Sequence, residues 1–470
     1  MSQVVSVPLW LLVLISVLAG LAALDRLLVP SVRWFVRRRV SRVLEEVGQR
    51  LRIQIEPFKL TKREVLIDRL IYDPTVMDAV ESQAREEDVP RQVVMERVER
   101  YAHEIVPAFN AYFYFRVGYW IARNLARLLY RVRLVITDEG ALAAIEPKST
   151  VVFVMNHRSN MDYILVAYLA ASQTTLSYAV GEWAQVWPLQ TLIRAMGAYF
   201  VRRKSRNSLY RRVLARYIHM ATEGGLAQAI YPEGGLTRDG RLREPKLGLL
   251  DYMLRSFDPD GNRDLVFIPV GLNYDRVLED RTMLLGLEED PPRPSAMRVA
   301  ARTAGFAIRN AGLMVSGRWH RFGYACVNLG KPVSMRRYCN EHDLRPAELD
   351  RETRFKKVEA IAGELMADLA EIIPVVPVSI VAQVFEKGTK PMSELELKAG
   401  AQRLMEELEA RGARVYIPRR DLEYAIEVGL RMLVLRHIVE EANGLYAVAE
   451  GERDILAYYA NSIAHLLPLS

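Results

Sequence analysis

A histidine and an aspartate stand five positions apart where the sequence predicts a strand, a turn and a helix. His157 and Asp162 belong to the stretch VVFVMNHRSNMDY, whose first five residues are apolar and which leads into the apolar run 163–171. Residues five apart on one α-helix point in different directions, so contact between these two requires a turn, which Asn156 and Ser159 can supply. The stretch therefore predicts an imidazole and a carboxylate at one pocket edge.

Such a pair is suited to taking a proton from a hydroxyl group. The neutral imidazole would act as the base, and the carboxylate would hold the ring in its useful tautomer and stabilise the imidazolium. The competing interpretation is a histidine satisfied within its own turn and an aspartate that caps the following helix. Because a bare His and Asp at this spacing also recurs by chance, the neighbouring motifs must decide between the two.

Composition restricts the class of protein. The chain has 470 residues, enough for two or three domains, and half of them are hydrophobic. Its 64 Lys and Arg against 57 Asp and Glu give a formal charge of +7, which favours phosphate-bearing partners such as anionic lipids or small substrates. The two cysteines, Cys326 and Cys339, lack metal-site spacing and fit a reducing compartment.

The N-terminus has the properties of a single membrane anchor. Residues 1–24 carry no charge, and the stretch 4–24 is long enough to span a bilayer as a helix. An arginine-rich segment, residues 26–42, follows directly. Because positively charged flanks stay on the cytoplasmic side, we expect an anchor over 1–29 in the inner (cytoplasmic) membrane, with the rest of the chain in the cytoplasm and in contact with membrane lipids.

Three regions are predicted after the anchor. Residues 30–125 form a helical, membrane-proximal region, in which FNAYFYFRVGYW (109–120) packs seven aromatics that suit either a core or a membrane interface. Residues 126–338 alternate short apolar runs with helical patterns, which predicts an α/β domain with a mostly parallel sheet flanked by helices. Residues 339–470 form a helical C-terminal region. The predicted strands are 132–136, 151–155, 198–201, 227–231, 265–271 and 325–329.

Polar clusters follow several of these strands, where functional loops of parallel sheets gather. GAYFVRRKSR places Arg202, Arg203, Lys204 and Arg206 after one strand. Four cations suit a phosphate or phosphopantetheine, and the arginines offer a planar fork for phosphate oxygens. YPEGGLTRDGRL places Glu233, Gly234, Gly235 and Arg238 after another, with glycines that let a backbone approach a ligand. IPVGLNYDRV interrupts a buried strand with Pro269, which predicts a sheet edge or a shaped strand end.

In this order, NHRSNMD, GAYFVRR, EGGLTR and IPVGLNYD resemble the four blocks of the glycerolipid acyltransferase family, and most closely its glycerol-3-phosphate acyltransferase branch. REPKLGLLDYM, GYACVNLGKPVSM, IPVVPVSIVAQVF and LAYYANSIAHLL extend the resemblance over roughly residues 125–470. It implies acyl transfer from acyl-CoA or acyl carrier protein to the sn-1 hydroxyl of glycerol 3-phosphate, which gives lysophosphatidic acid. No metal or cofactor is implied.

The resemblance also implies roles for individual residues. His157 matches the base and Asp162 its partner. Pro269 matches a position tied to catalysis or acyl binding, and a basic rim would hold the acceptor phosphate, with Arg202 and Lys246 as further contributors. The positions that match acceptor-binding residues, to which we add Gly235 of the same glycine pair, are Phe200, Arg203, Glu233, Gly234 and Arg238.

One departure from the family pattern keeps the acceptor open. Leu236 stands where this branch commonly has an arginine associated with acceptor binding. The alternatives are therefore an acyltransferase that uses 1-acyl-glycerol 3-phosphate or dihydroxyacetone phosphate, or a catalytically silent membrane scaffold that binds lipid. Arginines beside the predicted anchor and at strand ends account for the basic charge, so no nucleic-acid partner is expected. The sequence leaves the oligomeric state undetermined.

Overall fold

A computed structural model describes most of the chain after residue 60. The described residues are 58, 61–111, 113–170, 176–181, 189–202, 205, 207–285, 305, 321–388, 390–418 and 421–468. The anchor predicted over 1–29 lies outside them, as do most residues up to 60. Within the described ranges, no helix combines the length and the apolar character that crossing a bilayer requires.

An eight-stranded sheet forms the centre of the described part of the chain. Its strands are β1 (Arg131–Ile136), β2 (Thr150–Met155), β3 (Ser177–Gly181), β4 (Tyr199–Val201), β5 (Gln228–Ile230), β6 (Leu265–Tyr274), β7 (Tyr324–Leu329) and β8 (Val333–Ser334). Seven of them lie in the order β1-β7-β6-β2-β5-β3-β4, and β8 pairs with β6. All six predicted strands are present, while β3 and β8 were not predicted.

The sheet is mostly parallel, as the alternating pattern predicts. Strands β6, β2, β5, β3 and β4 run in one direction, so their carboxyl ends meet at the same edge. Strand β7 runs antiparallel to β6 and parallel to β1, and β8 is also antiparallel to β6. The predicted α/β class with a mostly parallel sheet is confirmed.

Helices surround the sheet. Before β1 the structure has α1 (Arg63–Ile71), α2 (Pro74–Glu87), α3 (Arg91–Ile105), a π-helix (Phe113–Gly118) and α4 (Tyr119–Leu129). Between the strands it has α5 (Glu139–Ala143), α6 (Met161–Ala170), α7 (Leu189–Ala195), α8 (Ser208–Glu223), α9 (Gly248–Leu254) and α10 (Asp280–Leu285). After β8 it has α11 (Met335–Glu341), α12 (Arg351–Glu371), α13 (Pro377–Lys387), α14 (Glu394–Ala410), α15 (Leu422–Leu435) and α16 (Arg453–Ala460), with 3₁₀ turns at Pro346–Glu348 and Asn461–Leu466.

Two hydrophobic cores lie on the two faces of the sheet. Side chains of β2 alternate between them: Val152 and Val154 face one core, and Met155 faces the other. Helices α1, α2, α3, α8, α9 and α12 cover the first face. Helices α4, α6 and α13 to α16 cover the second. The C-terminal helices thus share a core with the sheet, and the proposed domain boundaries stay predictions.

The C-terminal region is not purely helical, which corrects the sequence-based expectation. A small antiparallel sheet joins β9 (Met392–Ser393), β11 (Leu445–Val448) and β10 (Val439–Ala442). Strands β10 and β11 form a hairpin whose two-residue loop, Asn443 and Gly444, has positive φ angles of 54° and 74°. Asn-Gly is the preferred pair for such a turn, so this hairpin had a local signal.

The expectation that Pro269 marks a sheet edge is wrong. Strand β6 is central, and Pro269 pairs in register with Val154 of β2. Its carbonyl oxygen accepts a hydrogen bond from the Gly330 amide at 2.8 Å. The nitrogen and the carbonyl of one strand residue point to the same side of the strand, so the proline nitrogen also faces away from β2. On that side, the partner of β6 changes from β8 to β7 near Pro269, so a missing N–H there breaks no strand pairing. The β2 side of the strand therefore loses no donor.

Candidate active site

The parallel strands bring the four sequence motifs to one edge of the sheet. The His157 turn follows β2, Arg202 follows β4, the Glu233 loop follows β5, and Tyr274 ends β6. All four strands point the same way, and the crevice at their carboxyl ends is where open α/β sheets bind ligands. The topology therefore places residues far apart in the sequence around one site.

His157 and Asp162 meet as the sequence predicts. Their contact joins Nδ1 of the imidazole to Oδ2 of the carboxylate at 2.9 Å, and the two side chains are 1% and 0% exposed. A carboxylate accepts only, so Nδ1 carries the proton and Nε2 keeps its lone pair. Asn156 fixes the turn by exchanging two hydrogen bonds with the backbone of Leu272 on β6, at 2.7 and 2.8 Å.

Asp162 is held by donors from two directions. Its Oδ2 accepts the amides of Arg158 at 2.8 Å and Ser159 at 3.0 Å in addition to the imidazole. Its Oδ1 accepts the hydroxyl of Tyr274 at 2.5 Å. A buried carboxylate is expensive unless it is hydrogen-bonded, and these four donors satisfy it. The imidazole of His157 is thus oriented by a partner that is itself fixed.

Two tyrosines enclose the imidazole ring. Tyr231 stacks on His157 with ring centroids 4.0 Å apart and planes 27° apart. Tyr163 meets the ring edge-on, and its hydroxyl lies 3.5 Å from Nε2, the atom that would take a proton. The hydroxyl of Tyr163 therefore marks the position that an acceptor hydroxyl would have to approach.

Glu233 links two loops of the site. Its carboxylate accepts the backbone amides of His157 at 2.7 Å and Arg243 at 3.1 Å. The Thr237 amide in turn donates to the His157 carbonyl at 3.1 Å. Burial raises the pKa of Glu233 to about 7, while the two amide hydrogen bonds act in the opposite direction. The structure thus places this residue, predicted to bind the acceptor, as a support for the His157 turn.

Tyr231, which stacks on His157, also lines a groove. Its volume is about 190 Å³, and its lining combines apolar side chains such as Leu214 and Leu249 with Tyr231, Gly234 and Lys246. Gly234 has a φ of +68°, and the Lys246 side chain crosses it so closely that a Cβ would meet its Cδ at 2.6 Å. The positive φ favours glycine at this position, and a larger residue would also displace the Lys246 side chain.

The predicted cations do not all converge. Lys246 is exposed at the groove, and Arg238 is exposed in the loop directly after Thr237. Arg202 also lines the groove, but its guanidinium forms a two-pronged ion pair with Glu104 at 2.9 and 2.5 Å and lies over the rings of Tyr101 and Tyr210. Arg203 lies outside the described residues. The expectation that Arg202 is available for a phosphate is therefore not met in this structure.

Three further predicted residues are buried. Phe200 is 0% exposed in the core of the second face, where the Arg194 guanidinium lies over its ring at 5.2 Å. Gly235 and Pro269 are buried in the loop after β5 and in the middle of β6. The Phe200 side chain thus belongs to the core of the second face, and its role in binding the acceptor stays a prediction.

Several residues of the site escaped sequence reasoning. Glu279 accepts the Ser159 hydroxyl at 2.7 Å and the Asn160 amide at 3.2 Å, and burial raises its pKa. The Arg158 guanidinium is buried against the ring of Tyr458, a residue of α16, with a distance of 4.8 Å to the ring centroid. Tyr274 stands inside a quoted motif, but nothing in the spacing of that motif indicates contact with Asp162.

Two family models match the chain. The model named Acyltransferase matches residues 136–273, which include the His157 turn and the loops after β4 and β5. The model for the glycerol-3-phosphate acyltransferase C-terminal region matches residues 312–470. Residues 136–273 thus resemble an acyltransferase domain. They are followed by the C-terminal region that is typical of glycerol-3-phosphate acyltransferases, which confirms the resemblance found in the motifs.

Proteins named glycerol-3-phosphate acyltransferase match almost the whole chain. Glycerol-3-phosphate acyltransferases from Pasteurella multocida (strain Pm70) and Pseudomonas aeruginosa (strain LESB58) are 25% and 26% identical, each over 92% of this chain. The match covers 54% and 52% of those proteins. The chain therefore spans about half the length of the curated relatives it matches.

A solved structure also aligns with part of the chain. It is the crystal structure of the 1-acyl-sn-glycerophosphate (LPA) acyltransferase PlsC from Thermotoga maritima, which is 17% identical and aligns with a TM-score of 0.30. The alignment covers 54% of this chain and 80% of that protein.

Proposed function

We propose that the chain transfers a fatty acyl group from acyl-CoA or acyl carrier protein to the sn-1 hydroxyl of glycerol 3-phosphate. The product is lysophosphatidic acid, the starting point for phospholipid synthesis. The observation that carries this proposal is the buried 2.9 Å contact between His157 and Asp162 at the sheet edge where the other motifs also end. The names of the relatives, which match over 92% of the chain, support glycerol 3-phosphate as the acceptor.

The chemistry follows from the arrangement of the pair. His157 Nε2 takes the proton as the acceptor oxygen attacks the thioester carbonyl, and Asp162 stabilises the imidazolium. When the tetrahedral intermediate collapses, the C–S bond breaks and the imidazolium returns the proton to the departing thiolate. The new C–O ester bond remains in the product. Since Tyr163 lies at Nε2, its hydroxyl must give way when the acceptor binds.

The acceptor phosphate needs a positive rim next to the base. Lys246 at the groove and Arg238 in the same loop as Glu233 suit this role, and Arg203 completes the expected set. When the phosphate is held, the acceptor hydroxyl reacts from a fixed position. Less entropy is then lost on the way to the transition state, which lowers the barrier. The groove beyond Tyr231, with its apolar walls and basic rim, is large enough for part of a phosphorylated substrate.

An acceptor assay tests the proposal. The purified full chain in liposomes is offered glycerol 3-phosphate, dihydroxyacetone phosphate or 1-acyl-glycerol 3-phosphate, each with labelled acyl-CoA or acyl carrier protein. We expect labelled lysophosphatidic acid from glycerol 3-phosphate. Turnover of one of the other acceptors alone would establish the alternative suggested by Leu236, and no transfer to any acceptor would favour a silent lipid-binding scaffold.

Action at the inner face of the cytoplasmic membrane is part of the same proposal. In addition to the apolar N-terminus, α4 exposes Trp120, Ile121 and Leu128, whose side chains are 64%, 38% and 44% exposed. Arg123 and Arg127 lie beside them on the exposed surface of α4. Apolar and cationic side chains on one helix face are typical of contact with anionic lipid.

Cell fractionation tests this placement. The chain should stay with membranes washed in alkaline carbonate, and protease added to intact spheroplasts should leave residues after the predicted anchor uncut. Recovery of the chain in the carbonate supernatant would contradict the anchor, and cleavage from outside would contradict the orientation.

A further inference from the structure

The far oxygen of the Asp162 carboxylate has a different kind of partner from the near one. Oδ2 accepts His157 and two amides of its own turn, whereas Oδ1 accepts the Tyr274 hydroxyl at 2.5 Å from a residue 112 positions away. Among the hydrogen bonds between described residues, the donor to Oδ1 is the Tyr274 hydroxyl. The carboxylate is therefore held by its own turn on one side and by strand β6 on the other.

The Tyr274 side chain is tightly enclosed, which restricts the direction of its hydroxyl. It is 0% exposed, and its ring packs against Tyr130 with centroids 5.4 Å apart. Burial and the nearby Asp162 raise the pKa of Tyr274 well above its ordinary value, so the phenol stays protonated and remains a donor at any working pH. A short hydrogen bond to a carboxylate is among the stronger ones in proteins.

We propose that Tyr274 is a positioning residue for proton transfer, which acts through Asp162 to set both the orientation of His157 and its readiness to accept a proton. The inference rests on the proposed function and extends it, because it gives the fourth motif a role through Tyr274. The phenol draws negative charge toward Oδ1. As a result, less charge remains on Oδ2 to hold the proton on the imidazolium, and the base returns its proton more easily.

The sign of the expected effect follows from this charge distribution. In Tyr274→Phe, the carboxylate keeps its full charge facing His157, so the imidazolium is favoured and the acidic limb of the kcat/KM profile moves to higher pH. Because the lost hydrogen bond acts on His157 only through Asp162, we expect a shift of about one pH unit or less. We also expect kcat at the plateau to fall about tenfold, because the carboxylate is less firmly oriented, while the KM for glycerol 3-phosphate stays the same.

Tyr130→Phe is the matched control. Tyr130 is 2% exposed in the same aromatic cluster, and its hydroxyl donates to the Arg276 carbonyl at 2.7 Å instead of to the catalytic pair. Both variants lose one buried hydroxyl and keep the ring. Both also keep the other ionisable groups that surround the pair, which are Arg158, Tyr163, Tyr231, Glu233 and Glu279. A difference between the variants therefore reports on the bond to Asp162.

The closing experiment combines pH–rate profiles with a readout that needs no turnover. The Nδ1–H proton of His157, hydrogen-bonded to a carboxylate, gives a downfield NMR resonance that is assigned by its loss in His157→Ala. We expect its titration midpoint to rise in Tyr274→Phe and to stay unchanged in Tyr130→Phe. Unchanged titration in both variants, or the same shift in both, would overturn the inference. Failure of the proposed function would appear separately, as a wild type that shows the Nδ1–H resonance but does not acylate glycerol 3-phosphate.

Discussion

The base and the cations of the proposed site are built in opposite ways. His157 and Asp162 are buried, and four donors converge on the carboxylate. Lys246 and Arg238, in contrast, are exposed on a loop, and Arg202 is engaged with Glu104. One half of the site is rigid before substrate arrives, and the other consists of long side chains at the surface.

Electrostatics explains why the two halves differ. The imidazole and carboxylate satisfy each other, so they can be buried without a ligand. A cluster of cations cannot, because buried like charges without a counter-ion would be strongly destabilising. Charged side chains at the surface stay in contact with water, so they need no buried counter-ion. The difference suggests that the rate depends mainly on the buried pair, and affinity for the acceptor mainly on the rim.

The largest expected effect comes from removing the base. His157→Ala should lower kcat by about 10³-fold with little change in KM, because general base catalysis typically contributes 10²–10⁴-fold. His342→Ala is the control, since His342 is exposed at the end of α11, against the ring of Tyr338. Acyl transfer is measured with labelled donor. If His157→Ala retained more than a tenth of the wild-type rate, the buried pair would not be the catalytic centre.

Two variants test whether the cations of the site bind the acceptor phosphate. Lys246→Met should raise the KM for glycerol 3-phosphate about tenfold with kcat nearly unchanged, the size expected for one hydrogen bond to a charged group. Arg202→Met should change KM by less than threefold, because its guanidinium is already paired with Glu104. Steady-state kinetics over a range of acceptor concentrations checks both. A larger KM effect in Arg202→Met would mean that Arg202 leaves Glu104 to bind the phosphate.

Arg202→Met should instead be visible in stability. Its ion pair with Glu104 is partly exposed, with side chains 40% and 16% accessible, so we expect a loss of about 1 kcal/mol or less in the free energy of unfolding. Lys246→Met should leave that free energy nearly unchanged. Urea unfolding of both variants separates a cation that binds substrate from one that supports the fold.

Local patterns predicted the strands and the catalytic pair. Six strands had apolar runs. His157 and Asp162 share one short turn, so their contact depends on only a few neighbouring residues. The Asn443 and Gly444 hairpin was equally local, but it lay in a region whose helical patterns dominated the interpretation. Such a miss could have been avoided from the sequence alone.

Long-range partners could not be found in the same way. Tyr274 lies 112 positions from Asp162, and Glu279 lies 120 positions from Ser159. Glu104 lies 98 positions from Arg202 and comes from helix α3, and no local pattern predicts that this helix packs beside β4. A row of arginines predicts positive charge, but only the packed structure tells which of them an acidic residue has already engaged.

A pH effect on stability is expected at Glu233, which joins the two halves through the amides of His157 and Arg243. Its pKa is raised to about 7 from an ordinary 4.5, mainly by burial. The folded chain therefore binds this proton more tightly than the unfolded chain. The stability it contributes is complete below about pH 4.5 and is lost as pH rises through 7.

Glu233→Gln removes this titration, so the unfolding free energy of the wild type should fall relative to the variant by up to about 1.4 kcal/mol per pH unit between those values. Urea unfolding at pH 5, 6, 7 and 8 measures the difference. Asp275, whose pKa burial also raises to about 7, is present in both proteins and contributes the same slope to each. Parallel pH curves would mean that Glu233 is already ionised in the folded chain. The loop after β5 would then carry a fixed negative charge beside the proposed phosphate-binding rim, and the buried half would hold a second carboxylate charge in addition to that of Asp162.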